Sequence, residues 1–331
     1  MRRFIACFVV ALMLLGSAVA EDFHFVSPAY AGLYGRELDI AYERSGGGEG
    51  LLLVLDEKGK VLGQSKVSEN RKQGAVRIML AEDMPVGQEI RLILQQNGQQ
   101  LLQDTALLAV DYAKRDGVRR VNTQEKKIAI TFDCAGGLDK IPQLMELLEK
   151  LDIHCTFFLQ GEMVIKHGEW VTKLHQRGHE MANHSMLHPD MREISNSEIY
   201  REITRCNQLI EKYTGEKVTL YRPPSGYYTY RDRAIGRALG CEMILWTFDS
   251  LDGFYDTPRE RIWNNMMKKS EPGAIILMHT YGRYTLDILQ DYVPMMQEMG
   301  YEFVTITDLL IPEGEIDGDG LQYCAEDVKN P

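Results

Sequence analysis

Residues 127–161 read KIAITFDCAGGLDKIPQLMELLEKLDIHCTFFLQG, and this stretch decides the fold. An apolar run of β-forming residues at 127–133 is followed by IPQLMELLEKL (141–151), whose apolar residues recur about every 3.6 residues, as in an amphipathic helix. A second apolar run, CTFFLQG, follows at 155–161. Strand, helix and strand in this order are the repeating unit of a parallel sheet. We therefore predict an α/β fold for this part of the chain.

The same alternation continues to about residue 310. Five further strand-like runs follow: HEMANH (179–184), TLYRPP (219–224), EMILWTFD (242–249), AIILMHT (274–280) and EFVTIT (302–307). One of the intervening helices should begin at Ser195, because Ser195 and Glu198 form a capping-box pattern. Seven such units predict a parallel sheet, which is either a barrel or an open layer with helices on both faces.

The first twenty residues have the pattern of a secretory signal peptide. Arg2 and Arg3 precede a short apolar run, which ends in an Ala-x-Ala sequence at Ala20. We expect cleavage after Ala20 and export to the cell envelope, the periplasm or the outside of the cell; the alternative is an uncleaved anchor. No later segment is apolar and long enough to span a membrane.

The region from 21 to 110 alternates short β-like stretches with turn signals. Hairpin turns are predicted at 57–60 (EKGK) and 96–99 (QNGQ). This pattern predicts a small all-β, sandwich-like domain with a structural or carbohydrate-contacting role. The polar residues 111–126 are predicted as a linker, and the acidic, glycine-rich residues 311–331 as an extended tail.

Charge and cysteine content narrow the function classes. The formal net charge of −11 argues against nucleic acid or an anionic membrane surface as the main partner, and a neutral substrate such as a sugar polymer fits better. Signal cleavage would leave five cysteines, an odd number without a Cys-x-x-Cys pair. A disulfide framework is therefore doubtful despite the predicted export.

Polar side chains follow five of the predicted strands. They are Asp133 and Cys134, His184 and His188, Arg222, Asp249 and Asp252, and His279. In parallel α/β folds the carboxyl ends of the strands meet at one edge, where sites collect. The sequence therefore predicts a functional site at this edge.

The residue types indicate metal-assisted hydrolysis of an acyl bond. His184 and His188 are four residues apart, so one helical turn would put both imidazoles on one face, as in histidine-pair metal sites. Two histidines, one further ligand and an open position for water are typical of a catalytic zinc or similar ion. Arg222 could hold Asp133 ionised as a base, and His279 could donate a proton to a leaving group.

These motifs, in this order, resemble the polysaccharide deacetylases of carbohydrate esterase family 4, the NodB-homology domain. The motifs that carry the resemblance are TFDC (131–134), HSMLH (184–188), RPPSG (222–226), DSLD (249–252) and LMH (277–279). The resemblance covers residues 126 to 310 and implies a distorted (β/α)7 barrel, which we assign to residues 127–310.

The resemblance also implies a role for each matching residue. Asp133 corresponds to the catalytic base, Arg222 to the residue that tethers it, and His279 to the catalytic acid with Asp252 as its partner. His184 and His188 correspond to the metal-binding histidines. The backbone N–H of Ser225 corresponds to an oxyanion donor, and Leu277 lines the pocket for the acetyl methyl group.

Three residues depart from the family pattern. Cys134 replaces the aspartate that completes the metal triad. It is either a thiolate ligand, which favours zinc over harder ions, or a small buried residue that leaves the ion to the two histidines, water and Asp133. Cobalt, manganese and nickel are the other candidate ions. Ser225 replaces a tyrosine at a position that acts through its backbone. Gly253 replaces a tryptophan of the groove wall, and Phe254 and Tyr255 are candidates to compensate.

The sequence therefore predicts an exported, metal-dependent N-deacetylase of amino-sugar polymers such as peptidoglycan or a chitin-like glycan. Two alternatives remain open: an O-acetyl esterase on acetylated polysaccharide, and a catalytically inactive glycan-binding homologue. The aromatic residues Tyr227, Tyr228 and Tyr230 either stack on sugar rings or serve in packing.

Overall fold

The computed structural model describes residues 23–45, 49–68, 71–312 and 314–323. The predicted signal peptide lies outside the described residues, as do Cys324 and the rest of the predicted tail beyond residue 323. No helix in the described ranges is both long enough and apolar enough to cross a membrane.

The first part of the described chain contains eight strands in two sheets. The strands are β1 (Phe23–Phe25), β2 (Ala29–Leu33), β3 (Glu37–Arg44), β4 (Gly50–Leu55), β5 (Val61–Val67), β6 (Gln73–Met79), β7 (Gly87–Gln96) and β8 (Gln99–Asp111). One sheet has the order β1-β3-β6 and the other β2-β8-β7-β4-β5. Alternate residues of both sheets, such as Ile40, Leu52 and Leu92, face a shared apolar core.

Both predicted hairpin turns are confirmed. The EKGK turn joins β4 to β5, and the QNGQ turn joins β7 to β8. Asn97 and Gly98 have φ angles of 52° and 78°, the left-handed conformations that a two-residue hairpin turn requires.

The second part contains a curled, mostly parallel sheet with helices packed on its outer face. Its strands are β10 (Lys127–Cys134), β11 (Thr156–Leu159), β12 (Glu180–Asn183), β13 (Leu220–Tyr221), β14 (Glu242–Met243), β15 (Phe248–Asp249), β16 (Ile275–His279) and β17 (Glu302–Phe303). The helices are α1 (Ile141–Lys150), α2 (Gly161–Gln176), α3 (Asn196–Thr214), α4 (Tyr230–Ala238), α5 (Arg259–Lys269), α6 (Thr285–Glu298) and α7 (Ile306–Leu309). The sheet order is β14-β13-β12-β11-β10-β16-β15, with β17 also paired to β10.

The helix ends follow local sequence signals. The predicted capping box at Ser195 and Glu198 is confirmed at the start of α3, with the Glu198 carboxylate accepting from the Ser195 N–H at 2.8 Å. Gly215 ends the same helix with a φ angle of 75°, which a residue without a Cβ adopts at little cost.

The predicted strand 242–249 is divided between the two edges of the curled sheet. Its first residues form β14 beside β13, and its last residues form β15 beside β16. The segment that was predicted as a linker fills the gap between them. Val118 is buried there, its N–H donates to Met243 O at 2.8 Å, and its carbonyl accepts from Leu245 N at 2.7 Å. In the described sheet, β14 and β15 do not pair with each other, and the segment around Val118 connects these two edges instead.

The predicted linker is packed against both parts of the molecule. Asp111 is fully buried, and its two carboxylate oxygens accept from Arg233 at 2.6 Å and Arg237 at 2.7 Å on α4. These two arginines compensate the charge of Asp111 in the contact between the β region and α4. Further along, β9 (Arg120–Val121) pairs with a strand from the predicted tail.

Part of the predicted tail is folded rather than extended. β18 (Glu315–Ile316) and β19 (Leu321–Tyr323) form an antiparallel pair, and β19 pairs with β9. The acidic side chain of Asp317 helps to form this turn, because its Oδ1 accepts from Asp319 N and Leu321 N.

Candidate active site

The two faces of β10 point to different environments. Ala129 packs in an apolar cluster enclosed by the curled sheet, whereas Ile130, Phe132 and Cys134 pack in the cluster formed with the outer helices. Because side chains alternate along a strand, Asp133 shares the inner face with Ala129. The pleat of β10 therefore directs Asp133 and Cys134 to opposite sides of the sheet.

Four of the predicted residues meet at the carboxyl ends of the strands. Asp133, His184, Arg222 and His279 lie at the ends of β10, β12, β13 and β16 respectively. Asp133 and His279 are direct register partners on adjacent parallel strands. Residues opposite one another in a sheet project to the same face, so these two side chains share the inner face.

Arg222 holds Asp133 in a fixed orientation. Its Nη1 donates to Asp133 Oδ1 at 2.8 Å and to Thr131 Oγ1 at 2.9 Å. Its Nη2 donates to the carbonyl of Leu245 at 2.9 Å, and the fully buried guanidinium stacks 3.8 Å from the ring of Phe158. These contacts leave the guanidinium little freedom, and its charge lies directly against the carboxylate.

The environment favours the ionised form of Asp133. Burial raises the pKa of its carboxyl, but the facing His184, the Arg222 guanidinium and His279 lower it, and the net pKa is below the ordinary value. Burial lowers the pKa of His184 to about 4, so this imidazole is neutral at pH 7. Arg222 therefore supplies the permanent positive charge beside the Asp133 carboxylate.

The proton of His184 is located by its hydrogen bond. Its Nδ1 lies 2.9 Å from the carbonyl oxygen of Arg222, which can only accept, so Nδ1 carries the proton. The Nε2 lone pair then faces Asp133 Oδ2 at 3.4 Å. Two acceptor atoms face each other here, and a cation between them would satisfy both. Two ligands about 2.1 Å from a tetrahedral ion lie about 3.4 Å apart, which matches this separation.

His188 lies beside His184, although not through the helical turn that was predicted. Ser185 and His188 have φ angles of 65° and 62°, so the chain between the histidines is a tight turn with left-handed residues. The Ser185 hydroxyl accepts from His188 N at 3.0 Å and fixes this turn. The two imidazole centroids are 5.0 Å apart, with the rings edge to face.

The structure does not bring Cys134 to the histidines. Its thiol is buried among the outer helices, and its Sγ lies 3.6 Å from the carbonyl of Phe132. Burial raises the pKa of the thiol, and the nearby Asp133 raises it further. A neutral thiol on the opposite face of β10 does not fit the predicted role of a thiolate ligand. The structure instead places His184 Nε2 opposite Asp133 Oδ2, and it places His188 beside His184.

His279 and Asp252 form a hydrogen-bonded dyad. His279 Nδ1 lies 2.9 Å from Asp252 Oδ1, and Asp252 also accepts from Ser250 Oγ, His279 N and Thr285 Oγ1. Burial lowers the pKa of His279, but the hydrogen bond and the charge of Asp252 raise it, and the net pKa is above the ordinary value. The raised pKa extends to higher pH the range in which the imidazolium, with an Nε2 proton to donate, is present.

Asp249 lies close to this dyad. Asp249, Asp252 and His279 are three side chains in the described ranges with ligand atoms within 4.8 Å of one another, which is close enough to hold a metal ion. The oxygens of Asp252 nevertheless already accept four hydrogen bonds, two of them from His279, which favours a role as the partner of this histidine. Burial raises the pKa of Asp249, as expected for a carboxyl group with little charge compensation.

The RPPSG loop presents a free backbone donor. Ser225 and Gly226 have φ angles of 55° and 68°, and Gly226 packs so closely on Trp246 that a Cβ would lie 2.6 Å from the indole. Gly226 N and Tyr227 N donate within the loop, whereas no protein group in the described ranges accepts from Ser225 N. The Ser225 N–H is thus available to a ligand.

Leu277 lies on the inner face of β16, as a lining residue should. It is buried and is the register partner of Thr131, directly below the pair formed by Asp133 and His279.

Two neighbours of the site, Thr131 and Thr285, were not singled out in the sequence, and Gly253 has a contact that the sequence did not predict. Thr131 donates to Ile276 O at 2.7 Å and accepts from Arg222. Because side chains two residues apart on a strand share a face, its position two residues before Asp133 could have revealed it. Thr285 donates to Asp252 from the start of α6, for which the sequence gives no local signal. Gly253 packs on His279, with a Cβ position 2.7 Å from its Nδ1.

Comparison with known proteins identifies a family and several relatives. The family model described as polysaccharide deacetylase matches residues 120–244. The peptidoglycan-N-acetylmuramic acid deacetylase PdaA of Bacillus subtilis is 30% identical over 200 residues, which cover 60% of this chain and 76% of the relative. A peptidoglycan-N-acetylglucosamine deacetylase of Bacillus cereus is 31% identical over 194 residues, covering 57% of this chain and 91% of the relative.

Solved structures of the same family share the fold. A pseudoenzyme of carbohydrate esterase family 4 from Bacillus anthracis matches with a TM-score of 0.57 and 25% identity, covering 71% of this chain and 85% of that chain. A peptidoglycan N-acetylglucosamine deacetylase, Bc1960, matches with a TM-score of 0.55 and 25% identity, covering 58% of this chain and 91% of that chain. The chain belongs to the polysaccharide deacetylase family, carbohydrate esterase family 4.

Proposed function

We propose that this protein is an exported, metal-dependent N-deacetylase of amino-sugar polymers. The observation that carries the proposal is the pairing of Asp133 and His279 on one face of the sheet, with the pKa of the acid lowered and that of the histidine raised. Two titratable groups whose pKa values are shifted in opposite directions can serve as the base and the acid of one reaction. Peptidoglycan is the favoured polymer, because relatives are named as peptidoglycan deacetylases.

The residues supply the steps of amide hydrolysis. A water molecule attacks the acetyl carbonyl carbon while the Asp133 carboxylate takes one of its protons, and Arg222 keeps the carboxylate oriented. The N–H of Ser225 donates to the oxyanion that forms. His279 Nε2 then gives its proton to the sugar nitrogen as the carbon–nitrogen bond breaks, which releases acetate and leaves a free amine.

His184 and His188, with Asp133 beside them, would hold the divalent ion. When bound, such an ion polarises the carbonyl and makes water a better nucleophile at neutral pH. The nitrogen donors of the two histidines would favour zinc, with cobalt, manganese and nickel as alternatives. We leave Cys134 out of the proposed ligand set because its thiol faces the outer helices.

The direct test is acetate release. The purified protein, loaded in turn with zinc, cobalt, manganese or nickel, is given acetylated chito-oligosaccharides, peptidoglycan and acetylated xylan. Acetate from the first two substrates supports the N-deacetylase. Release from acetylated xylan alone would assign the O-acetyl esterase reaction instead.

A glycan-binding protein without activity is the second candidate. It is favoured by the placement of Cys134, which stands where the family carries a metal-binding aspartate, and by the similarity to a structure named a pseudoenzyme. Against it, Asp133, Arg222 and His279 retain the mutual contacts that chemistry needs. Glycan binding without acetate under any metal condition would decide for this candidate.

A further inference from the structure

We propose that the rim beside His279 binds a carboxylate-bearing sugar, adjacent to the acetamido sugar that is deacetylated. The binding elements are Phe254, Tyr255, Tyr281 and Arg283, which we call the acid-side rim. The inference deepens the proposed function, because it selects an acidic glycan such as peptidoglycan over a neutral chitin-like polymer.

The acid-side rim exposes three aromatic side chains on the loops that follow Asp252 and His279. Phe254, Tyr255 and Tyr281 are 62%, 76% and 41% exposed. The Tyr281 ring lies 5.0 Å from that of His279. The loops that carry these residues pack on each other, since a Cβ at Gly282 would lie 2.7 Å from Asp252 Oδ2. Exposed aromatic faces at the mouth of a site suit the apolar faces of sugar rings.

The loop carrying Tyr281 is anchored to the loop after β10. Thr280 Oγ1 donates to Gly136 O at 2.6 Å, and Lys140 Nζ donates to the carbonyls of Tyr281 and Gly282 at 3.2 and 2.8 Å. These bonds fix the backbone of the rim relative to Asp133. A ligand on the rim would thus lie at a defined distance from the reacting group.

Arg283 supplies a positive charge on this rim. Its guanidinium lies 5.8 Å from the Tyr255 ring and 5.0 Å from the Tyr284 ring. In the part of the chain that the structure describes, no carboxylate forms an ion pair with it. A guanidinium on an aromatic surface retains five donors for a planar anion, and a carboxylate is its matching partner.

On the opposite rim of the site, which carries Arg192 and Tyr227, the positive charge is already paired with a carboxylate. Arg192 stacks 3.9 Å from the Tyr227 ring, but its charge is neutralised by Asp190 at 2.6 Å. Tyr228 is half-buried there and bonded to Asp116, so it serves in packing. One rim therefore offers an aromatic surface with a compensated charge, and the other an aromatic surface with an available charge. An acidic sugar is expected on the side of Arg283.

The protein as a whole repels anions, so a local positive charge such as Arg283 is needed to bind an acidic polymer. The formal net charge is −11, so long-range attraction does not explain a preference for an acidic polymer. A guanidinium at the binding site would have to provide this preference for an acidic polymer. The lactyl carboxylate of N-acetylmuramic acid, which is absent from chitin-like polymers, is the group in peptidoglycan strands that Arg283 would recognise.

The test compares one glycan in two charge states. Binding of peptide-free peptidoglycan strands, and of the same strands with their carboxylates amidated, is measured by calorimetry. The variants are Arg283→Gln and, as a matched control on the other rim, Arg192→Gln. We expect wild type to bind the free-acid strands about fivefold more tightly than the amidated ones, the gain typical of one partly exposed ion pair. Arg283→Gln should abolish this ratio, and Arg192→Gln should keep it.

The outcomes separate this inference from the proposed function. An equal affinity of wild type for both strands, or an unchanged ratio in Arg283→Gln, overturns the acid-side rim. Because binding is measured without turnover, this result is independent of acetate release. A protein that releases no acetate yet shows the expected ratio would lose the deacetylase proposal and keep the recognition of an acidic glycan.

Discussion

Asp133 and His279 face each other as register partners on adjacent parallel strands, and both project to the inner face of the curled sheet. Each is held by its own counter-charge: Arg222 binds the carboxylate at 2.8 Å and Asp252 binds the imidazole at 2.9 Å. The two counter-charges shift the two pKa values in opposite directions, which divides the roles of base and acid between the pair.

Removal of the Asp252 charge should change the pH dependence of turnover. The pKa of His279 is raised, so the protonated acid is present below that pKa and is lost as the pH rises through it. Asp252→Asn removes the charge that raises the pKa, and the alkaline limb of the kcat profile should move to lower pH. A profile of kcat against pH checks this, and an alkaline limb that stays in place would contradict the role of His279.

Arg222 should matter for stability as well as for activity. Arg222→Met leaves the Asp133 carboxylate buried without its fixed partner, and such uncompensated charges typically cost about 3–5 kcal/mol. Urea unfolding measures the loss. Arg192→Met is the matched control, because this arginine is partly exposed and should change the free energy of unfolding by only about 0.5 kcal/mol. Equal effects of both substitutions would argue against the buried pair.

His184 and Cys134 are two of the predicted metal ligands, and their contributions to zinc binding can be compared directly. His184→Ala should abolish zinc binding and turnover, because Nε2 of this imidazole faces Asp133. Cys134→Ala should leave the zinc affinity unchanged, because the thiol lies on the opposite face of β10. Zinc affinity by competition with a chromogenic chelator is the measurement. A loss of zinc in Cys134→Ala would restore the thiol to the ligand set.

Gly253 should tolerate no side chain. A Cβ at this position would lie 2.7 Å from His279 Nδ1, so Gly253→Ala must displace the imidazole or break its bond to Asp252. A displaced catalytic group of this kind typically lowers kcat about tenfold or more. Gly236→Ala in α4 is the control, because its nearest heavy atom would be 3.5 Å away. Steady-state kinetics should separate the two variants, and equal kcat values would contradict the close contact.

The sequence predicted the location of the site because a general rule applies to it. Polar residues at the carboxyl ends of parallel strands meet at one edge, and Asp133, His184, Arg222 and His279 follow this rule. The position of Cys134 could not be predicted in the same way. Its direction depends on whether β10 ends before or after it, and a strand boundary is the least reliable feature of a sequence.

The role of residues 111–126 was also beyond local patterns. Their polar composition suggested a linker, but Asp111 is compensated by arginines more than a hundred positions away, and Val118 fills the gap between β14 and β15. Both contacts join residues distant in sequence, and single-sequence periodicity carries no information about such pairs. For the same reason the run 242–249 was predicted as one strand, although its two ends pair with opposite edges of the sheet.

The measurement that tests the central claim most directly is acetate release by the zinc-loaded wild type and by Asp133→Asn. The substrates are acetylated chito-oligosaccharides and peptidoglycan. The account predicts acetate from the wild type and a loss of about a thousandfold in Asp133→Asn, the order expected when a general base is removed. No acetate from the wild type with any divalent metal, or an Asp133→Asn variant as active as the wild type, would contradict it.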